Sequence, residues 1–585
     1  MVMQDSISHA VWDAKYRYRW HGKVIDETVT DTWQRVAKAI ACAEKASERK
    51  HWQSAFESIL TDYQFLPGGR ILAGAGTRHQ VTLFNCFVMN IASDSLSGIF
   101  NGLKEGALTL QQGGGVGYDF SVLRPRGSLV QKTGAPSSGP VSFMKVWDAM
   151  CDVLLSTGMR RGAMMAVMRC DHPDILEFIR AKHAAGVLRH FNVSVLVTDA
   201  FMEAVRQNQE WVLRFPCGGT DGSSERIESK INARVLWQEI IRSAYDCAEP
   251  GVLFGDTINR MNTLWYRESI SATNPCGEIP LPSYGACNLG SINLTQFVVA
   301  PFSHQAVMNW SALEDAVSIA TRFLDDVIDV SKFPLKAQRA QAIGTRRVGL
   351  GVTGLADCML MLSLRYGSEA SLVFAKELMR RIAEVTWETS IQLAKEKGAF
   401  PYYHDDYLRG EFVVTLDERL RQLLVRHQVR NSHHNTIAPA GTISLFANNV
   451  SNGIEPIFRA SYDRHMRDAN DQVVTYQVED YACGLWRQLE KAESLPPHFA
   501  DAACLLPEAH LEVQGVMQPY IDNAISKTIN IPKDFPFEKL ADVYTRAHAL
   551  GLKGCTVFRP NAITGAILEE KSSDMPAIDH CCQHE

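Results

Sequence analysis

The sequence predicts an α/β fold with a parallel component, on three observations. From Phe65 onward, short apolar stretches are separated by glycine (FLPGGRILAGAGT, TLFNCFVM, QQGGGVGYDFSVL), a texture of strands that end in loops approaching a ligand. FNVSVLV sets Val193, Val195 and Val197 on one face, and Thr198 or Asp199 can then cap a helix over AFMEAVRQ, giving a strand–helix unit. Longer helical patterns follow, and repeated alternation of this kind is the mark of an α/β architecture.

Taken in order, residues 1–64 read as an N-terminal helical segment, with Trp33, Val36, Ala37 and Ile40 at helical spacing. Residues 65–560 carry the alternating elements and form the main body. Within it, QKTGAPSSGP at 131–140 is a loop. Segment 310–330 places Leu313, Val317, Ala320, Leu324, Val327 and Ile328 on one helical stripe. A further helix starts near Ser368, runs to Lys397 and stops at Gly398. Residues 561–585 are polar, end in DHCCQHE and are expected to form a mobile tail. There is no internal repeat and no low-complexity tract.

Composition narrows the function. The 585 residues carry 65 acidic and 59 basic side chains, a net charge of −6, which gives no reason to expect a nucleic-acid or membrane-surface binder. Hydrophobic residues make up 46% and charged residues 21%, values that fit a folded soluble protein. No apolar run approaches the ~18 residues of a membrane span, and the first residues lack a secretory apolar core. The 14 cysteines are scattered, so a reducing cytoplasm is the expected location.

The richest segment is TNPCGEIPLPSYGACNLGSINL, 273–294. Asn274, Cys276 and Glu278 alternate with Pro275 and Gly277, and an extended backbone would send all three side chains to one face. The thiol can supply a nucleophile or, after losing a hydrogen atom, a radical. The carboxylate can move protons, and the amide can orient a hydroxyl. The competing reading is a buried cysteine flanked by surface polar groups.

This segment, NPCGE followed by ACNLGSINL, resembles the catalytic stretch of ribonucleotide reductases, above all the adenosylcobalamin-dependent class. The likeness extends in order through FLPGGRILAGAGT, NCFVM, QQGGGVGYDFS, STGMRRGAMMAVM, RRVGLGVTGLAD, IAPAGTISLFANNVSNGIEPIF and GLKGCTVFRPNA, covering about 60–560. It implies a ten-stranded α/β barrel with the catalytic cysteine on a loop through its centre. Cys276 would become the thiyl radical that takes the 3′ hydrogen of the ribose. Glu278 would take the 3′-hydroxyl proton and Asn274 would hydrogen-bond the substrate. Cys86 and Cys287 would be the reducing pair, oxidised to a disulfide as the 2′-hydroxyl leaves.

The resemblance also marks binding residues. Pro439, Ala440, Gly441, Thr442, Ile443 and Ser444 match the substrate-phosphate loop, and a glycine turn opening a helix suits phosphate on physical grounds as well. Asn85, Gly69 and Gly115 match positions lining the substrate, although Gly113 to Gly117 also read simply as a tight turn. Asp94 and Arg124 match positions that hold a deoxynucleotide or ATP effector. Arg160 falls in the matching specificity loop, where a surface arginine is the plainer reading. An on–off regulatory domain is not expected, because about 60 residues precede the barrel.

Val557 and Phe558 stand where reductases fed by a metal-containing partner carry a tyrosine pair, and there is no glycyl-radical motif. Adenosylcobalamin is therefore the expected cofactor, with no protein metal ligands assigned. Cys581 and Cys582 can relay electrons from thioredoxin or glutaredoxin, bind zinc with His580 and His584, or belong to an inert tail. The resemblance implies a homodimer acting on ribonucleoside diphosphates. A noncatalytic nucleotide-binding paralogue and a metal-partner-dependent large subunit are the alternatives.

Overall fold

The computed structural model describes residues 6–130, 133–156, 160–184, 186–215, 227–467, 473–491 and 494–561. Ten strands join in one sheet. In chain order they are β1 (Phe65–Pro67), β2 (Cys86–Val88), β3 (Gly115–Asp119), β4 (Met164–Arg169) and β5 (Phe191–Val197). These are followed by β6 (Gly251–Phe254), β7 (Ala286–Asn293), β8 (Val348–Thr353), β9 (Thr528–Asn530) and β10 (Gly554–Phe558). The hydrogen-bonded order is β8-β7-β2-β3-β4-β5-β6-β10-β9, with β1 also on β7.

Strands β2 to β6 run parallel. β7 is parallel to β8, and β9 to β10. The two blocks meet antiparallel at β7–β2 and at β6–β10. The regular ladders do not close the expected barrel. Between β8 and β9 the gap is spanned by residues 434–437 through two single bridges, Leu350–Asn435 and Ile437–Ile525. Asp522 explains the irregularity. Its carboxylate accepts the backbone N–H groups of His434 and Asn435 at 2.8 Å each, so a side chain satisfies donors that a continuous strand pair would use.

Alternation along the strands separates two apolar layers. Phe87, Val193, Val195 and Val197 pack outward with the helices, while Cys86, Val88, Met165, Leu196, Cys287 and Leu289 belong to a separate inner cluster. The valine face of β5 thus points away from the site, and its other face, Asn192 and Ser194, points in.

The helices form as their sequences dictate. Val29–Ile40 starts on a Thr28 capping box and buries Trp33, Val36, Ala37 and Ile40. Thr198 caps Asp199–Gln207. Trp310–Val330 buries its predicted stripe, and Glu369–Lys397 runs from an Ser368 cap to Gly398 at φ +83°. Glu44, after the first long helix, pairs with Arg322 and Lys397 and ties the N-terminal helices to these two. No helix among the described residues is long and apolar enough to cross a membrane.

Candidate active site

Cys276 sits at the tip of a short hairpin formed by Ala272–Thr273 and Pro280–Leu281. The extended segment expected from the residue spacing is not what the structure shows. The N–H of Gly277 donates to Asn274 O at 3.1 Å and Gly277 adopts φ +83°, so residues 274–277 form a β-turn. Asn-Pro-Cys-Gly carries its own reason: asparagine suits the first turn position, proline fixes the second and glycine tolerates the fourth.

Glycines let this hairpin enter the sheet interior. A β-carbon on Gly117 would lie 1.8 Å from Thr273 O, and one on Gly115 would lie 3.1 Å from Pro275 Cγ. Gly115 therefore acts by lying under the turn. Asn192 Nδ2 donates to Pro275 O at 2.8 Å and holds the turn from β5.

The turn brings the predicted groups together around Cys86. Asn274 Nδ2 donates to Cys86 Sγ at 3.1 Å, and Cys86 Sγ donates to Glu278 Oε1 at 3.6 Å. Cys86 is the direct cross-strand partner of Cys287. The neighbouring pair Val88–Gly285 is hydrogen-bonded, N to O at 3.1 Å, so by alternation Cys86–Cys287 is a hydrogen-bonded pair too. Such pairs have Cα atoms about 5.5 Å apart, inside the roughly 4.4–6.8 Å that a disulfide accepts.

Glu278 is fully buried, and burial pushes its carboxyl up to about 7 although Asn274 and Cys86 pull it back. Its Oε2 has no partner among the described residues. Its backbone carbonyl is fixed by Thr436 Oγ1 and Ala524 N, each at 2.9 Å. A carboxyl poised near neutrality, with one oxygen open, can accept a proton.

Cys276 faces a cavity of about 1170 Å³, which Pro439, Gly441 and Ser444 also line. Gly441 opens the helix Gly441–Phe446 and has open space where a β-carbon would sit. Ala440 N donates to Asn452 Oδ1, so that backbone donor is already engaged. Asn85 and Gly69 meet Pro439, Ala440, Thr442 and Ile443 around a second, narrow cavity, joined by Tyr16 from the N-terminal segment. Asn85 Oδ1 is buried without a partner among the described residues. The expected substrate residues thus converge beside the hairpin.

Asp94 and Arg124 lie elsewhere and bind one another, Nε to Oδ2 at 2.6 Å, on a partly exposed surface. Arg160 lies in the strand Arg160–Arg161, paired with Leu155–Ser156, and its side chain is outside the described residues. Cys581 and Cys582 also lie outside them. Tyr16, Asn192 and Thr436 were not singled out from sequence. Asn192 had a signal, as the polar residue opposite the valine face of β5; Tyr16 and Thr436 act only through the tertiary fold.

Comparison with known proteins settles the family. The model described as ribonucleotide reductase, barrel domain, matches residues 84–558, and the all-alpha domain model matches residues 3–80. The chain belongs to the ribonucleotide reductase large-subunit family. The vitamin B12-dependent ribonucleoside-diphosphate reductase of Mycobacterium tuberculosis (strain ATCC 25618 / H37Rv) is 37% identical over 569 residues, 93% of this chain and 76% of that protein. The Thermoplasma acidophilum protein of the same description is 36% identical over 542 residues, 90% of this chain and 67% of that one. The ribonucleoside-diphosphate reductase subunit alpha of Chlamydia trachomatis is 26% identical over 609 residues, covering 92% and 57%.

Proposed function

We propose that this chain is an adenosylcobalamin-dependent ribonucleoside-diphosphate reductase. One observation carries the reading: Asn274, Glu278 and Cys86 are in contact, Cys86 lies opposite Cys287, and Cys276 projects from the same turn into the main cavity. The relatives at 36–37% identity, described as vitamin B12-dependent, support the cofactor.

The cavity fits such a group. Its volume of about 1170 Å³ exceeds the ~300–1,000 Å³ of ordinary small-molecule pockets, so it has room for a nucleotide with part of a bulkier cofactor beside it. Adenosylcobalamin, when bound, supplies radical chemistry that no protein side chain initiates unaided. Ser526, Thr528 and the strand Gly554–Phe558 wall the cavity and would hold it. That strand offers Val557 and Phe558 where a tyrosine relay would need phenols, which supports a local radical source.

The chain's own residues do the rest. As a thiyl radical, the sulfur of Cys276 takes the 3′ hydrogen atom of the ribose and returns it to C3′ at the end of the turnover, which regenerates the thiyl. Glu278, through its open oxygen, takes the 3′-hydroxyl proton, and Asn274 orients the ribose. Cys86 and Cys287 supply two electrons and protons as the 2′-hydroxyl leaves as water, and become a disulfide. Pro439 to Ser444 hold the phosphate end, and Asn85, Gly69 and Gly115 line the substrate.

Asp94, Arg124 and Arg160 bind a deoxynucleotide or ATP effector. The chain acts as a homodimer in the cytoplasm, supplied with electrons by thioredoxin or glutaredoxin. The helices Leu96–Gln111 and Pro140–Val153 support dimerisation, since they pack together and expose Leu96, Phe100, Val146 and Val153. An anaerobic assay of each ribonucleoside diphosphate with a dithiol, with and without adenosylcobalamin, tests the proposal. Deoxynucleotide formed only with the cofactor is expected; a requirement for a metal-containing subunit refutes the class.

A further inference from the structure

Behind the thiol pair lies a buried cation that the chemistry above does not use. Arg347 directly precedes β8. Asn288 pairs with Val348, so one step back along this parallel ladder sets Cys287 beside Arg347. Gly349, on the same face, would bring a β-carbon within 3.3 Å of Cys287 Sγ, which confirms that this face abuts the thiol.

The Arg347 side chain is buried. Its Nη2 donates to Glu268 Oε1 and its Nη1 to Pro280 O at 3.2 Å, while Nε has no partner among the described residues. Pro280 belongs to the returning arm of the catalytic hairpin. The two sulfurs therefore have unlike surroundings. Burial holds the Cys287 thiol well above its ordinary range, Arg347 is the charge that pulls it back down, and Glu278 and Asp522 push it further up; without the guanidinium, a thiolate leaving at this position would cost still more. Cys86 instead meets the Glu278 carboxyl and the Asn274 amide, and at 4% against 0% it is the more exposed of the pair.

We propose that Arg347 is a positioning residue for the reducing pair: it holds the hairpin at Pro280 and supplies the buried positive charge that makes Cys287 the leaving sulfur when a dithiol cleaves the Cys86–Cys287 disulfide. This rests on the assignment of that pair in the proposed function. A dithiol thiolate attacks Cys86 Sγ, the Cys86–Cys287 bond breaks, and its electron pair leaves on Cys287 beside the guanidinium. The second thiol of the reductant, as thiolate, then attacks the mixed disulfide. It releases the Cys86 thiolate and leaves the dithiol oxidised to its own disulfide; both protein thiolates take protons from water.

The test uses the full chain with the disulfide formed by mild oxidation, kept anaerobic and free of nucleotide and cofactor. Cleavage by dithiothreitol is quenched with iodoacetamide and followed by peptide mass spectrometry. R347Q should slow cleavage about tenfold, the effect of losing a nearby opposite charge on a leaving thiolate. R347K should restore most of the rate. E268Q, which removes the competing counter-charge, should raise it, and the trapped adduct should sit on Cys86.

Wild-type cleavage in R347Q, equal slowing in R347Q and E268Q, or an adduct on Cys287 overturns the proposal. Opposite responses of the two variants are what a merely structural role would not give, and E268Q with R347K decides the matter if R347Q does not fold. Because no nucleotide turns over, a chain that cleaves as predicted yet reduces no ribonucleotide refutes the proposed function and leaves the thiol asymmetry standing. Failure to form the disulfide at all refutes both.

Discussion

Cys86 and Cys287 are direct partners across two antiparallel strands, held by the backbone ladder with their side chains on the inner face of the sheet. The pair can alternate between two thiols and a disulfide with little backbone movement, because the strands already set its Cα separation. The hairpin that carries the 274–277 turn sets Asn274 and Glu278 against Cys86.

Cys276→Ser should lower turnover by at least about 1000-fold, since an oxygen in its place cannot carry the radical. Nucleotide binding, measured by isothermal titration, should stay near wild type, because the proposed phosphate loop and Asn85 are untouched.

Glu278 has a folded-state pKa of about 7, raised by burial. The free-enzyme kcat/KM should therefore fall as pH drops through about 7, as the carboxylate needed for the 3′-hydroxyl proton is lost. Stability has the opposite dependence. A carboxyl whose pKa is raised on folding stabilises the fold below its unfolded pKa, and this contribution is lost as pH rises through the folded value. E278Q should thus be more stable than wild type at pH 8 by on the order of 1–3 kcal/mol, a gap that closes by pH 5. Chemical denaturation at the two pH values measures it.

Two glycines should respond in opposite ways. Gly117→Ala places a methyl 1.8 Å from Thr273 O, so it should cost about 3 kcal/mol or more, or displace the hairpin. Gly441→Ala meets nothing within 4 Å and should change stability by less than about 1 kcal/mol. Its methyl enters the proposed phosphate cradle, so KM should rise several-fold with kcat nearly kept. Thermal denaturation and steady-state kinetics separate the two.

Asp94→Ala frees Arg124 from its 2.6 Å ion pair on a partly exposed surface. Basal reduction should persist, whereas the change in substrate preference caused by a deoxynucleotide effector should weaken about tenfold. Competition assays with mixed substrates report this directly.

Much of this was legible in the sequence because the signals are local. The stripe of Trp310–Val330, the Ser368 cap and the valine face of β5 follow from periodicity and capping alone. The turn at 274–277 was also written there, as Asn-Pro-Cys-Gly, but alternation of polar residues suggested an extended strand. What escaped were contacts that only the tertiary fold creates. Thr436 fixes the Glu278 carbonyl from 158 positions away. Residues 434–437 span the gap beside β8 only through single bridges, because Asp522, far along the chain, takes the N–H groups of His434 and Asn435. Tyr16 reaches Pro439, Ala440, Thr442 and Ile443 from the N-terminal helices. Spacing along a chain carries no trace of such pairings.

The most direct measurement is a single turnover with ribonucleoside diphosphate and adenosylcobalamin but no external reductant, quenched and mapped for disulfides. About one deoxynucleotide per active site is expected, accompanied by a disulfide joining Cys86 to Cys287 in the same yield. Product formed while every cysteine stays reduced, or oxidation of a pair other than Cys86–Cys287 and the Cys581–Cys582 relay candidate, would contradict it.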